Sequence, residues 1–219
     1  MQKTKYFTES LISKKAESLF QKLAKKFDLH NAQFIPQKVA LLILDMQKFF
    51  HDNKSHAFIP SANAIIKPII SLTNLFIINN LPIITTKHIN TKENAKQMDN
   101  WWRDILTEEN EFSQLISEFD IPQAELIIKP QYDAFYCTNL NKILKKNKVE
   151  QIIITGVMTH LCCETTARSA FVRGYKVFFP IDGTATYNEE FHLATLTNLA
   201  QGFSNISLIE NLTQAFNGK

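Results

Sequence analysis

Six runs of aliphatic and β-branched residues recur along the chain without regular polar alternation: "KVALLILD" (38–45), "LPIITT" (81–86), "AELIIK" (124–129), "EQIIITG" (150–156), "KVFFPI" (176–181) and "ISLIE" (206–210). Such runs predict strands buried on both faces. Helix-like segments separate them at roughly 61–80, 109–118, 138–147, 162–173 and 188–201. Ser61 is placed to N-cap the first of these, and Pro68 inside it predicts a kink or a delayed start. Buried strands alternating with helices imply βαβ crossovers. The expected fold is a single doubly wound α/β domain over 36–219, with a mostly parallel six-stranded sheet and helices on both faces. A lead-in over 1–35 precedes it, and no repeat, linker or shift in composition divides the rest.

The lead-in contains "TESLISKKAESLFQKLAKKFD" (8–28), with Leu19, Phe20, Leu23 and Phe27 on one helical face and lysines on the other. A basic amphipathic helix of this kind suits a membrane surface or a packed position on the domain or a partner subunit. Its short apolar face favours packing.

Composition narrows the function. The chain has 219 residues, 45% hydrophobic and 21% charged, with a net charge of +3. That charge is too small, and too little clustered, to imply nucleic acid. No stretch approaches the ~20 apolar residues of a membrane span. The first residues lack a signal peptide's apolar core. Cys137, Cys162 and Cys163 are odd in number and two are adjacent, a poor disulfide framework, which predicts a reducing, cytoplasmic setting.

Ligands of doubly wound sheets bind outside the carboxyl ends of the strands. Three reactive residues fall there: Asp45 after the first run, Lys129 after the third and Cys162 just beyond the fourth. Each has a plainer reading, as turn former, exposed lysine or small core residue. Their coincidence on one rim argues for a site. Thr159 is a candidate cap for the helix that follows. Cys162 would then lie in its first turn, where unpaired N–H groups and the helix dipole favour a thiolate. Cys163 is turned about 100° away. Arg168, Arg173 and Gly174 suit that helix's C-terminal end.

The segments "ALLILDMQKFF", "IIKPQYDAF" and "IIITGVMTHLCCETTARSAFVRGYKVFF", in this order and spacing, resemble the isochorismatase-like hydrolase superfamily of cysteine hydrolases. The likeness runs from about Pro36 to Leu212. It implies Asp45, Lys129 and Cys162 as the catalytic set, a cis peptide at Val157–Met158, and an oxyanion hole from the N–H groups of Met158 and Cys162. It also implies a small-molecule substrate and a homo-oligomer, commonly a dimer or tetramer. Nicotinamidases of this superfamily often bind zinc through an Asp-x-His motif and a further His. Here "TTKHINTKENAKQ" puts His88 and Asn90 in that region, so no catalytic metal and no other cofactor is expected. The siderophore isochorismatases have glycine where Cys162 stands, although "GVMTHLCCETTA" and "KPQYDAF" look more like that branch.

The resemblance leads to C–N hydrolysis of an amide or carbamoyl compound through a Cys162 thioester. Phe50, Trp101 or Trp102, Tyr132 and Phe135 are expected to line the pocket, with Trp102 the preferred member of its pair. Gln47 and His88 are expected to bond the substrate, and His160 either to join them or to be a satisfied loop histidine. The alternatives are an isochorismatase-type vinyl-ether hydrolase using Asp45 as acid, and a catalytically silent binding protein. The intact Asp45, Lys129 and Cys162 set argues against the last.

Overall fold

A computed structural model describes residues 2–216. The seven strands are β1 (Val39–Leu44), β2 (Ile83–His88), β3 (Glu125–Lys129), β4 (Gln151–Val157), β5 (Lys176–Pro180), β6 (Thr184–Ala185) and β7 (Asn205–Ser207). They form one sheet in the order β3-β2-β1-β4-β5-β7, with β6 beside the end of β4 and every pair parallel. The longer helices are α1 (Ile12–Lys26), α3 (Ile66–Ile78), α6 (Leu140–Lys146), α7 (Glu164–Val172), α8 (Glu189–Gly202) and α9 (Ile209–Phe216). Single turns α2 (Lys48–His51), α4 (Lys92–Ala95) and α5 (Met98–Trp101) sit in the loops. Chain order runs outward from β1 to β3 on one side and from β4 to β7 on the other, so the switch point lies between β1 and β4. No helix of the described residues is long and apolar enough to cross a membrane.

All of β1 and β4 is buried, as central strands of a two-sided sheet must be. β3 departs from expectation. As the edge strand it is covered on one face only, leaving Leu126 50% and Ile128 47% exposed while Ile127 and Lys129 are buried. Gly156 pairs with Leu44 at a φ of 104°, and a Cβ there would stand 2.1 Å from the Leu44 carbonyl oxygen. Only glycine allows this approach.

The expected helix over 109–118 is absent. Asn110 caps a 3₁₀ turn at Glu111–Ser113, another occupies Ser117–Phe119, and the residues between them bridge back to the loop after β1. There Lys48 N–H donates to the Gln114 carbonyl and Ile116 N–H to that of Met46. Backbone pairing across the site loop thus overrides a local helical pattern. "ISLIE" divides between β7 and the first turn of α9.

Ser61 is not a helix cap. A 3₁₀ turn at Ala62–Ile65 delays the start of α3, leaving Pro68 in its first turn. The Ser61 hydroxyl accepts instead from the N–H groups of Tyr6 and Phe7, at 3.0 Å each. The chain's first residues are thereby tied to the body of the protein. α1 follows, and its Ile12, Ala16, Leu19 and Leu23 are buried in the same continuous core as the sheet. Its apolar face is therefore spent on packing within the chain.

Candidate active site

The switch point gathers the three candidate groups. Asp45 leaves β1 in the left-handed region at φ 53°. Its N–H donates to the Thr86 carbonyl and hydroxyl at 3.2 and 3.1 Å, and that hydroxyl donates back to Asp45 Oδ1 at 2.6 Å. Lys129 ends β3, two strands away and so about 10 Å distant in the sheet. Only a long side chain spans that gap, and Lys129 Nζ lies 2.8 Å from Asp45 Oδ2, with both side chains wholly buried. The ammonium also donates to the Gln131 carbonyl at 3.0 Å and to Cys162 Sγ at 3.2 Å. Desolvating two ions costs several kcal/mol each unless their hydrogen bonds are satisfied. Thr86, Gln131 and Cys162 supply those bonds here.

Cys162 reaches this cluster from a π-helical turn, Thr159–Cys163, between the cis Val157–Met158 peptide and α7. Thr159 does not cap it. Its hydroxyl is paired with His192 Nδ1 at 3.1 Å. Cys163 is fully buried in the core, so of the two adjacent cysteines it is Cys162 that meets Lys129. The expected low thiol pKa is not what this setting produces. Burial pushes the Cys162 thiol up to about 12, although Lys129 pulls it down, and the Asp45 charge adds to the rise. Burial also opposes the Lys129 charge, but Asp45 and Cys162 outweigh it and hold the ammonium above its ordinary value. The resting cluster is therefore a neutral thiol beside a buried ion pair.

Above it lies a cavity of about 290 Å³, floored by Cys162 and Met158 and walled by Phe50, His88, Trp102 and Tyr132. Phe50, Trp102 and Tyr132, expected as lining, and His88, expected as a substrate contact, are brought together here. Trp102 Nε1 donates to Tyr132 Oη at 2.6 Å, which fixes both rings, while Trp101 is 76% exposed and outside the cavity. Burial and the Lys129 charge hold His88 down to about 4, so it is neutral, and its buried Nδ1 has no hydrogen-bond partner.

Gln47, expected to bond substrate, and Phe135, expected to line the pocket, lie elsewhere, and His160 takes the loop-histidine alternative. Gln47 is wholly buried, donating to the carbonyls of His88 and Ser113 and accepting from His88 N–H, so it bolts the site loop to β2. Phe135 stacks on Tyr175 under the Arg173 guanidinium. His160 stacks on Phe191 and bonds Thr186, and burial lowers it to about 4. Sequence reasoning missed Thr86, whose sign was a hydroxyl closing the second apolar run. It also missed Lys3, His56, Arg103 and Tyr187 in the cavity wall.

Residues 39–211 match the family model described as the isochorismatase domain. The chain belongs to the isochorismatase family. It is 37% identical to nicotinamidase 3 of Arabidopsis thaliana over 82% of this chain and 89% of that protein. It is 31% identical to enterobactin synthase component B of Escherichia coli over 83% of this chain, spanning 65% of that protein's length. The fold matches a cysteine hydrolase from Pseudomonas syringae pv. phaseolicola 1448A at a TM-score of 0.83, with 23% identity over 87% of this chain and 97% of that one.

Zinc ligation of the Asp-x-His kind does not fit this isochorismatase-family site. The Asn90 amide donates to the Pro130 carbonyl at 2.8 Å, and among the described residues no three His, Cys, Asp or Glu side chains cluster as metal ligands.

Proposed function

We propose that this isochorismatase-family hydrolase cleaves the C–N bond of a small amide or carbamoyl compound through a Cys162 thioester. The observation that carries the reading is the chain of contacts from Asp45 through Lys129 to Cys162 at the floor of an apolar cavity. The likeness to nicotinamidase 3 supports it.

The raised thiol pKa has a simple electrostatic meaning. Losing the Cys162 proton to solvent would leave a net negative charge beside the buried pair. Passing it to Asp45 leaves a thiolate, an ammonium and a neutral acid, with no change in total charge. Asp45 thus acts as base only as Cys162 Sγ attacks the carbonyl carbon. The carbonyl oxygen becomes an oxyanion, held by the N–H groups of Met158 and Cys162. As the tetrahedral species collapses, the C–N bond breaks and the leaving nitrogen takes the proton from Asp45. Water then attacks the thioester and gives a proton to Asp45, the C–S bond breaks, and the thiolate regains that proton. Lys129 remains charged throughout and holds the carboxylate against the sulfur.

Ammonia release from a panel of primary amides and carbamoyl compounds, with mass spectrometry of quenched enzyme, tests this reading. An acyl adduct on the Cys162 peptide is expected. Turnover undiminished in Cys162→Ala would overturn it.

The high thiol pKa also supports a second reading, in which Cys162 is a bystander and Asp45 protonates a vinyl ether. The match to the isochorismatase domain points the same way. Isochorismate turnover retained in Cys162→Ala and lost in Asp45→Asn is its signature.

A further inference from the structure

The first residues of the chain form a strap that brings Lys3 into the lining of the cavity. Thr4 N–H donates to the Tyr187 carbonyl at 2.8 Å, and Thr186 N–H donates to Tyr6 Oη at 3.0 Å. Tyr6 and Phe7 are fastened to Ser61, and Tyr187, the partner of Thr4, lines the cavity beside Lys3. Lys3 Nζ donates to the carbonyls of His56 and Phe58 and stands 4.3 Å from the centre of the Tyr187 ring. All these partners are uncharged. An ammonium has three N–H donors, so one remains.

The charges around the cavity do not cancel. Asp104 sits 3.7 Å from Arg103 Nε and 3.4 Å from His56 Nδ1, so the one carboxylate in the lining is shared by its neighbours. Lys129 and Asp45 neutralise each other beneath the floor. Lys3 is the excess cation, partly desolvated by burial, which lowers its pKa. An uncompensated charge at an apolar cavity is unfavourable, and a bound anion would offset it.

We infer that Lys3 is a specificity-determining residue that selects substrates bearing a carboxylate away from the scissile bond. The inference rests on the proposed hydrolysis for its substrate class. It separates two kinds of compound that this catalytic cluster could equally attack: a neutral amide, and one bearing an acidic group.

The test pairs acids with neutral ketone isosteres. 3-Carbamoylbenzoate is set against 3-acetylbenzamide, and N-carbamoylglycine against N-(2-oxopropyl)urea, in wild type, Lys3→Met and Lys3→Arg. Ammonia release gives kcat and KM. Lys3→Met retains the stem without the charge, and is expected to lower kcat/KM for the acids roughly 10- to 100-fold, mainly through KM. The ketones should change less than about threefold, and Lys3→Arg should keep most of the preference, since a charged donor remains. Equal losses on acid and ketone would overturn the inference and make Lys3 a latch of the strap. A wild type without preference would overturn it too. If neither pair is hydrolysed, the proposed function has failed instead. The binding ratio of acid to ketone, followed by tryptophan emission, then decides the inference: a preference that Lys3→Met abolishes upholds it, and a preference that is absent or survives overturns it.

Discussion

On one side of the switch point, Asp45 just after β1, Thr86 within β2 and Lys129 at the end of β3 are wholly buried. On the other, Cys162 rides on a π-helical turn after β4 and borders the cavity. The strand side is an electrostatic unit in which each member depends on the others. The turn side presents one side chain whose removal leaves no buried charge unpaired. Stability and chemistry should therefore separate across the switch point.

The strongest attempt to break that contrast is Asp45→Asn, which strands the Lys129 ammonium and removes the base. A loss of at least about 10³-fold in kcat/KM is expected, together with about 3 kcal/mol or more of stability by urea unfolding. Unchanged stability would mean that the ion pair is not held as described. Cys162→Ala should match that loss of activity on amides while shifting stability by no more than about 1.5 kcal/mol. A large drop in stability there would erase the distinction between the two sides.

Gly156→Ala probes the seam itself. Its Cβ would meet the Leu44 backbone at a positive φ, so a loss of about 3 kcal/mol or more is expected, read from the shift in thermal midpoint. Thr86→Val removes the donor to Asp45 Oδ1 and should lower stability by about 1–3 kcal/mol, with about a tenfold fall in turnover.

The smallest effect is a pH slope. Burial holds His192 down to about 3 and His88 and His160 to about 4, and lowers His51 as well. The unfolded chain, with histidines near pH 6.5, binds these protons first, so stability should fall as pH drops from about 6.5 towards 4. Asp182 works the other way. Burial raises it to about 6, so its contribution falls as pH rises between about 4 and 6. The histidines outnumber it, and urea midpoints at stepped pH should show the net loss on acidification.

Much of this was legible in the chain. Unalternated apolar runs located every strand except the two-residue β6, and the residues ending two of those runs, Asp45 and Lys129, meet Cys162 from just beyond a third. Errors arose where one local signal serves two ends. The hydroxyls of Ser61 and Thr159 look like helix caps, but each bonds a partner far away in sequence, the Tyr6 and Phe7 amides or His192. Gln47, Phe135 and His160 stand near catalytic positions in sequence, yet their side chains turn into packing. Lys3 carried no sequence signal, because a lysine near a chain's beginning is ordinary until its surroundings are known.

By itself the sequence determined the succession and burial of the central strands and the residues near their carboxyl ends. Strand periodicity is a local property, so it can be read from neighbours. The tertiary structure alone decided that burial raises the Cys162 thiol, which tryptophan faces the cavity, and that the N-terminal strap brings a cation there. Those outcomes depend on desolvation and on distances between segments far apart in the chain, and neither exists until the sheet has closed around them.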